Sequence, residues 1–419
     1  MKRNSFYRKI NKCRICLNSN LFEYLDLGNQ PLANSFLNKF EIKNEKKFHL
    51  KMNLCKECGL SQLSISINPE NIFNEYDYLS SSSKALVNHY NQLTVLLSKK
   101  YKLKKSELIL DIGCNDGILL NQYNRKFNNL LGVEPSSASK FIKNKNIRLI
   151  NKFFNYKLSN LIKKKYGFPK IITITNVFAH IDNIKNFVRG LSNISNSETI
   201  IVIEFPYLID MIKKNYYDLI YHEHLSYLSL KPLKYLFSLY DLNIFDYKKL
   251  NIGASGPSLR IFVSKKYSKY KISKKIDKQI IYENKWGISR LSKYFNFKKN
   301  VNDHKIIFNK LIDNLINKNY NVGCFSAPAK GNTFLNFVKI KSKKIKYVSE
   351  NNNQKIGKFT PGSHYRIITD EEFVKKNIDY AILLSWNYKK FFIKNSLFSK
   401  TGKGFIIPFP KPIIFPLNE

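Results

Sequence analysis

Four cysteines stand in two pairs that have the spacing of metal ligands. Cys13 and Cys16 form one Cys-x-x-Cys pair, and Cys55 and Cys58 form the second. Two such pairs, each on a tight turn, can place four thiolates tetrahedrally around zinc; four reduced, unliganded thiols are the alternative. Because the protein would fill all four positions, the pattern predicts a structural zinc site with no position for water or substrate.

A second chemical pattern is a glycine-containing turn that follows an apolar run at 108–112. Gly113 and Gly117 let the backbone approach a ligand closely. We expect a helix at 118–123, whose N-terminus would favour a negative group such as a carboxylate. Glu134 ends the next apolar run, where its carboxylate can accept both hydroxyls of a ribose.

This turn lacks the Gly-x-Gly-x-x-Gly spacing of dinucleotide sites, so it indicates a nucleoside ligand. A plain strand-to-helix turn is the alternative. His180 follows a third apolar run and is expected to face the same crevice. The candidate cofactor-binding residues are Asp111, Gly113, Asn115, Asp116, Gly117, Glu134 and Asn176.

Ionisable side chains are concentrated in one short stretch, 221–227. If this stretch is helical, Tyr221 and His224 lie on one face. A histidine here can take a proton at neutral pH, and Glu223 can orient a neighbour; capping and packing are the alternative roles. Upstream, Tyr76 and Tyr78 precede a run of four serines that lines a polar sugar pocket or caps a helix.

A loop near the C-terminus joins a predicted strand at 321–325 to a predicted helix. Small residues, one lysine and backbone amides in this loop suit a diphosphate, although the Gly-Lys-Ser/Thr of a P-loop is absent. The next predicted strand is followed by an acidic residue in the position to hold a ribose or a base. The candidate substrate-binding residues are Ser326, Pro328, Lys330, Asn332 and Glu350.

Alternating apolar runs and helical stretches must position these residues. Runs at 108–112, 130–133, 171–174 and 200–204 predict a parallel sheet with helical crossovers, and a second α/β rhythm begins near 321. The Pro-rich end, 404–416, is predicted to pack as an irregular tail. We expect three domains: zinc-binding at 1–70, cofactor-binding at 71–255 and a smaller α/β domain at 256–419.

The formal net charge of +41 would ordinarily point to a nucleic-acid partner. Only nine of the 71 basic residues are arginines, however, and the lysines are spread along the whole chain together with asparagine and isoleucine. That composition is typical of an AT-rich genome and argues against nucleic-acid recognition, which relies on arginine for bidentate contacts. No apolar run is long enough to span a bilayer and no secretory signal is visible, so we expect a cytoplasmic protein without membrane contact.

Taken together, the motifs resemble the sugar C-methyltransferases that act on nucleotide-activated 4-keto-deoxysugars. The resemblance runs through nearly the whole chain. Two positions depart from the family pattern: Cys114, where a small residue without a thiol is commoner, and 253–260, a partial match to a Gly-Gly-Ser-Leu-Arg stretch. The motifs that carry the resemblance are the two cysteine pairs, 27–34, 76–81, 111–117, 132–135, 176–180, 221–224, 327–333 and 361–362.

The resemblance implies a class I methyltransferase domain between a zinc-binding domain and a C-terminal Rossmann-like domain, with S-adenosylmethionine as cofactor and a nucleotide sugar as substrate. It implies that His224 removes a proton at C3 and that the resulting enolate attacks the methyl group. The loop 326–332 would hold the diphosphate. The residues implied around the sugar are Tyr221, Glu223, His180, and Tyr76 or Tyr78.

Two other functions stay open. The same base could deprotonate a hydroxyl group, which would give a sugar O-methyltransferase in polysaccharide biosynthesis. A non-catalytic zinc-ribbon protein that binds nucleic acid would account for the positive charge. Against the second alternative, the three chemical stretches all keep their polar residues.

Overall fold

The structure is a computed structural model that describes residues 6–73, 79–123, 127–250, 256–342 and 344–417. It divides into two compact units, each made of separated stretches of chain. The first contains Met1–Phe22, Asn53–Ile209 and Leu225–Arg290; the second contains Glu23–Met52, Asp210–His224 and Leu291–Glu419. These limits differ from the three domains expected above, whose boundaries stay a prediction.

The first unit contains a seven-stranded sheet. Six strands run in one direction, and Ser258–Lys265 runs antiparallel to both of its neighbours. Central strands such as Ile171–Thr175 are β-branched and buried along their whole length, as parallel strands covered on both faces are. The order confirms the predicted class I methyltransferase fold. In space it is Leu242–Leu250, Ser258–Lys265, Ile200–Pro206, Ile171–Thr175, Ile109–Ile112, Leu130–Val133 and Ile147–Ile150.

Side-chain caps define where several helices of this unit begin. Ser83 and Asn155 each accept a hydrogen bond from a first-turn amide. Glu283 caps a helix from a distance, because its two carboxylate oxygens accept the amides of Leu230 and Lys231 at 2.9 and 2.8 Å. The helices are Glu70–Phe73, Lys84–Lys100, Tyr156–Tyr166, Ile184–Asn193, Leu230–Ser238 and Lys275–Trp286, and short strands lie at Tyr7–Lys9, Ser61–Leu63, Ile65–Ile67 and Ser226–Tyr227.

The second unit contains a six-stranded sheet with five parallel strands and an antiparallel edge strand. Its strand order is the one found in dinucleotide-binding Rossmann folds, which agrees with the prediction of a Rossmann-like C-terminal domain. The helices are Leu291–Asn317, Ala329–Val338, Asp370–Val374 and Lys389–Asn395. The strands in spatial order are Arg366–Ile368, Tyr347–Ser349, Val322–Phe325, Tyr380–Leu383, Gly404–Ile407 and Ile413–Pro416.

The irregular tail predicted at 404–416 is wrong. Gly404–Ile407 is buried and pairs with Tyr380–Leu383, and Ile413–Pro416 pairs back onto it. Three of the four prolines lie in the connection between these two strands or beside it, so they remove no ladder hydrogen bond from the sheet interior. Proline content alone therefore misled the prediction.

Three further elements cross the division between the units: the strands Leu21–Gln30 and Phe48–Cys55 and the helix Leu208–Lys213. In the part of the chain that the structure describes, no helix combines the length and the apolar character needed to cross a membrane.

Candidate functional site

The four predicted metal ligands lie together in the first unit. The Sγ atoms of Cys13, Cys16, Cys55 and Cys58 are all within 4.8 Å of one another. The sulfurs of Cys13 and Cys58 are 3.5 Å apart, and those of Cys16 and Cys55 are 3.4 Å apart. Tetrahedral zinc with bonds of about 2.3 Å needs sulfurs about 3.8 Å apart, so the donor set fits zinc after small adjustments.

The two cysteine pairs lie on tight turns of similar structure. The Leu17 amide donates to the Cys13 carbonyl at 3.0 Å, and the Gly59 amide donates to the Cys55 carbonyl at 3.0 Å. Both residues have positive φ, +63° for Leu17 and +81° for Gly59. Glycine adopts this conformation readily, whereas leucine does so at a cost of about 1–2 kcal/mol, so the metal-binding geometry holds Leu17 in place.

The predicted cofactor residues surround a cavity of about 360 Å³ in the first unit. That volume lies within the range of small-molecule sites. Predicted residues that line it are Asp111, Gly113, Asn115, Glu134, Asn176 and His180.

Two predicted cofactor residues do not line the cavity. Asp116 instead accepts the Ser81 amide at 3.0 Å, beside Asn115, which accepts the Ser80 amide at 2.9 Å. A side chain at Gly117 would meet Ile147 at 3.3 Å, so this glycine serves packing.

Two of the acidic side chains that line the cavity, Glu134 and Asp111, lie on or directly after neighbouring strands of the sheet. Glu134 accepts the backbone amides of Asn115 and Ser136 at 2.8 and 2.9 Å, which fixes its carboxylate at the end of its strand. Burial raises the pKa of Asp111 to about 7, although the Thr173 hydroxyl donates to it at 2.6 Å and favours its ionised form. A ligand with positive charge therefore suits this cavity.

The backbone around the cavity is shaped by left-handed residues at the strand ends. Gly113, Asn115 and Asn176 have φ of +76°, +50° and +58°. Asparagine tolerates this region better than most residues, and such conformations often occur at functional sites.

The helix predicted at 118–123 is wrong. Gly117 has a φ of +78°, and after it the chain makes turns and the short 3-10 helix Leu120–Gln122. The cavity therefore has no helix N-terminus at this position to bind a carboxylate.

Cys114, which departs from the family pattern, fills space left by a glycine. The side chain is buried, and burial raises its pKa well above the ordinary value, so the thiol is not a nucleophile at neutral pH. A Cβ at Gly132, on the adjacent strand, would lie 2.7 Å from the Cys114 sulfur. Cysteine and glycine thus form a matched packing pair beneath the cofactor turn.

This pairing predicts a rescue. Gly132→Ala should lower the free energy of unfolding by about 1–3 kcal/mol because the new methyl group collides with the sulfur. In the double variant with Cys114→Ala the collision is removed, since the remaining neighbours of the new Cβ lie at 3.5 Å. Urea denaturation of the parent, both single variants and the double variant measures this coupling. If the loss of unfolding free energy in the double variant equals the sum of the losses in the two single variants, the pairing is contradicted.

The predicted base lies in the second unit, on a turn rather than a helix. The Tyr221 hydroxyl and the His224 Nε2 are 2.9 Å apart, and the His224 Nδ1 is 2.8 Å from the Leu219 carbonyl. Because a carbonyl only accepts, Nδ1 carries the proton, and Nε2 accepts the hydrogen bond from Tyr221. Burial lowers the pKa of His224 to about 4, so the imidazole is neutral at pH 7.

Glu223 is also buried, and sequence reasoning missed the residue that holds it. The Asn34 side-chain amide donates to the Glu223 carboxylate at 2.7 Å. The preceding carbonyl, that of Ala33, accepts the Asn332 amide at 2.7 Å. One short segment of the chain thus connects the stretch 221–224 to the C-terminal loop within the second unit.

The C-terminal loop repeats a feature of the cofactor turn. Glu350, at the end of the second strand of its sheet, accepts the Ala327 amide at 2.9 Å, just as Glu134 accepts the Asn115 amide. The Ala327 amide is thereby engaged within the protein. Ser326 has a φ of +64°, and its hydroxyl accepts the Ser385 amide at 3.0 Å; Pro328 precedes the helix Ala329–Val338.

Lys330 is buried among partners rather than exposed as a diphosphate ligand would be. Its ammonium group donates to the Asn387 side chain at 2.5 Å and lies 4.1 Å from the centre of the Trp386 ring. Burial lowers its pKa to about 8, partly opposed by the negative charge of Asp218. Asp218 in turn accepts the Trp386 indole N–H at 2.7 Å.

The remaining predicted residues are distributed as follows. His180 belongs to the first unit, and Tyr221, Glu223 and His224 belong to the second. Tyr76 and Tyr78 lie outside the described residues. Cavity residues that sequence reasoning missed are Tyr90, Phe73, Phe153 and Asp182; they carry no motif, since each reaches the cavity only through folding.

Comparisons with known proteins agree with this geometry. A family model described as a zinc binding domain matches residues 13–73, a methyltransferase domain matches 87–246, and a C-methyltransferase C-terminal domain matches 253–410. C-methyltransferase NovU of Streptomyces niveus is 26% identical over 408 residues, which cover 97% of both chains.

Solved structures match a smaller part of the chain. An S-adenosylmethionine-dependent methyltransferase from Clostridium acetobutylicum is 15% identical, with 42% of this chain and 91% of that chain covered and a TM-score of 0.33. The PH0226 protein from Pyrococcus horikoshii is 14% identical, with 47% and 98% covered and a TM-score of 0.34.

The three matched domains follow one another in the same order as the predicted zinc, cofactor and C-terminal regions. The cofactors are S-adenosylmethionine and a structural zinc ion. The match to a methyltransferase domain argues against the alternative of a non-catalytic protein that binds nucleic acid. The chain is an S-adenosylmethionine-dependent methyltransferase, and its three consecutive regions are similar to the zinc-binding, methyltransferase and C-methyltransferase C-terminal domains of those models.

Proposed function

We propose that the protein methylates C3 of a nucleotide-activated 4-keto-deoxysugar. The observation that carries this proposal is the buried Tyr221–His224 pair, in which a neutral imidazole accepts the hydrogen bond of a phenol. A positioned neutral imidazole can act as the general base for a proton beside a polarised ketone. It can equally serve a hydroxyl, so the preference for carbon is supported by the match of residues 253–410 to a C-methyltransferase C-terminal domain.

The hydrogen-bond directions define a route for the proton. As the C3–H bond breaks, the proton passes to the Tyr221 oxygen while the phenol proton moves to His224 Nε2, and the bonding electrons form the enolate. The Leu219 carbonyl holds the Nδ1 proton of His224 at 2.8 Å and stabilises the imidazolium that results. The imidazolium then releases its proton to water, which restores the pair.

The first unit holds the methyl donor in this proposal. S-adenosylmethionine supplies a methyl group that is already activated on a sulfonium. We assign the ribose hydroxyls to Glu134 and the positive charge of the donor to the ionised form of Asp111, and this is supported by the position of both residues in the cavity lining. Phe153 lines the cavity just after the strand Ile147–Ile150, and it is 40% exposed, so we assign it as the aromatic side chain that stacks on the adenine.

The second unit supplies the nucleotide site in this proposal. The parallel between Glu350 and Glu134 supports a second nucleoside at the carboxyl ends of the second sheet, because both carboxylates brace the turn after the first strand. Ser326 and Pro328 lie on that turn, and Asn332 lies in the first turn of the helix Ala329–Val338 that follows it. Lys330 contributes positive charge from a buried position beneath the turn.

A labelled methyl group tests the proposal. The protein is incubated with S-adenosylmethionine carrying a ¹³C methyl group and with 4-keto-deoxysugars linked to thymidine, uridine or cytidine diphosphate. We expect a product whose labelled methyl group shows the NMR shift of a C–CH3. A labelled O–CH3 would instead establish the sugar O-methyltransferase alternative, and absence of turnover with every ketosugar would overturn the proposed substrate class.

A further inference from the structure

Asp182 occupies the wall of the cofactor cavity, although no motif marks it. It follows His180 in the loop between a 3-10 turn and the helix Ile184–Asn193, and both residues line the cavity. Asn183, the next residue, caps that helix by accepting the Asn186 amide at 3.1 Å. Asp182 therefore sits where a movement of its side chain would shift the cavity wall.

Three side chains from the zinc-binding region hold the Asp182 carboxylate. Arg8 donates to both of its oxygens at 2.8 and 2.7 Å, and Ser66 donates at 2.6 Å. Arg8 and Ser66 stand directly opposite each other on paired antiparallel strands, so one small sheet presents both groups. Arg14 adds a hydrogen bond to the carboxylate at 2.8 Å and one to the Asp182 carbonyl at 3.1 Å.

Arg14 ties this cluster directly to the metal site, because it stands between Cys13 and Cys16. Its side chain is only 3% exposed, and Asp182 is its acidic partner. Its backbone amide donates to the Gln62 side chain at 2.9 Å, which fixes the cysteine turn against the strand Ser61–Leu63. The cysteine turn and Asp182 are therefore joined by a half-buried ion pair.

The alternative is that the cluster only stabilises the fold. The location argues for more, since Asp182 is at once the shared acceptor of three groups from the zinc-binding region and part of the cofactor cavity. An ion pair that only stabilises the fold can lie anywhere in the unit, whereas this one includes a residue that lines the cavity.

We propose that Asp182 is a positioning residue that couples the zinc site to the cofactor cavity, so that zinc and the adenosyl ligand bind cooperatively. Coupling between two binding sites is reciprocal. Zinc, bound by the four cysteines, keeps Arg14 against Asp182 and the cavity wall in its binding form. A ligand in the cavity in turn holds Asp182 and Arg14, and it slows the escape of zinc.

Zinc release measures this coupling without any turnover. Purified protein is mixed with an excess of a colorimetric zinc chelator, with and without saturating S-adenosylhomocysteine. For the parent we expect the ligand to slow zinc release by roughly tenfold, within the usual range for coupled sites. In Asp182→Asn the factor should fall close to one, while zinc content by elemental analysis stays at one ion per chain.

Matched variants keep the result interpretable. Glu198→Gln removes a carboxylate that pairs with Lys170 and Lys269 at 2.9 and 2.7 Å in the same unit, away from the cavity lining, and should keep the parental factor. If Asp182→Asn does not fold, Ser66→Ala removes one hydrogen bond to the carboxylate and Arg8→Ala removes two, and each variant should reduce the factor by which the ligand slows zinc release. The proposal would be overturned if the ligand slowed zinc release equally in the parent and in every cluster variant. It would also be overturned if the ligand did not slow zinc release from the parent.

Discussion

Asp111→Asn is expected to be more stable than the parent above pH 7 and to bind S-adenosylmethionine more weakly. Burial raises the pKa of Asp111 from 3.8 to about 7. Between these values the unfolded chain has lost the proton while the folded chain still keeps it. The stability associated with the protonated group is therefore complete below pH 3.8 and is lost as the pH rises to about 7.

The size of the effect follows from the same pKa. A tenfold change in a proton equilibrium corresponds to about 1.4 kcal/mol, so the ionised Asp111 costs the folded state on the order of 4 kcal/mol. Asparagine avoids this cost and can still accept the Thr173 hydroxyl hydrogen bond. The stability gain of the variant should grow between pH 4 and 7 and stay constant above that.

Ligand binding should change in the opposite direction. A positively charged ligand favours the ionised form of Asp111, so we expect the affinity of the parent for S-adenosylmethionine to rise between pH 6 and 8. The variant should bind roughly tenfold more weakly at pH 8, the effect of losing one charge-assisted contact, and without this pH dependence.

Urea unfolding and titration calorimetry across this pH range measure both effects. Asp241→Asn, at a side chain that is 74% exposed, is the matched control and should change neither quantity. A variant that is no more stable than the parent at pH 8, or that binds the ligand equally well, would contradict the role of Asp111.

The second large effect concerns the proton acceptor. His224→Ala should lower kcat by about 10²–10⁴-fold, which is the usual contribution of a positioned base. Tyr221→Phe should also lower kcat, because it removes the hydroxyl that donates to His224 at 2.9 Å. Neither change is expected to weaken S-adenosylmethionine binding, since the candidate ligands for that cofactor lie in the first unit.

The pH dependence distinguishes this base from an ordinary histidine. A base must be unprotonated, so kcat/KM falls as the pH drops below its pKa. Burial lowers the pKa of His224 from 6.5 to about 4, and the acidic limb assigned to this residue should therefore lie near pH 4. An acidic limb near 6.5 that disappears in His224→Ala would contradict the buried, neutral state of the imidazole.

His222 provides the matched control for these kinetics. It is as buried as His224, but its Nε2 lies 3.3 Å from the His49 carbonyl, an acceptor that cannot relay a proton. His222→Ala should reduce stability through the lost packing while kcat per folded molecule stays near the parental value. Loss of kcat in both histidine variants to the same extent would indicate that packing, not proton transfer, explains the effect.

The features predictable from the sequence were those with local signatures. The cysteine spacing predicted the thiol cluster, and the apolar runs at 108–112 and 130–133 predicted strands of a parallel sheet, with Glu134 at the end of the second. The helix expected at 118–123 failed because the left-handed Gly117 precedes a sequence that forms only turns and a 3-10 helix. The sequence pattern could not distinguish the two structures, since the same spacing of apolar residues is compatible with an α-helix and with turns that include a 3-10 helix.

Features that depend on distant contacts could not be predicted. Asn34 reaches Glu223 across 189 positions, and Arg8 reaches Asp182 across 174 positions. Cys114 departs from the family pattern, and only the folded structure shows that its side chain packs against Gly132. The residues of the loop 326–332 suggested that Lys330 is available to a phosphate. In the folded protein its ammonium group instead contacts Asn387 and Trp386. A buried ammonium group requires such partners.

The central claim is that the protein removes a proton from C3 before it forms a carbon–carbon bond there. The most direct measurement uses a 4-keto-deoxysugar nucleotide in D2O with S-adenosylhomocysteine, so that no methyl group can be transferred. NMR should show loss of the C3 proton signal with the parent and with His222→Ala, and its retention with His224→Ala. A C3 signal that persists with the parent, from a preparation that methylates the same sugar when S-adenosylmethionine is added, would contradict the account.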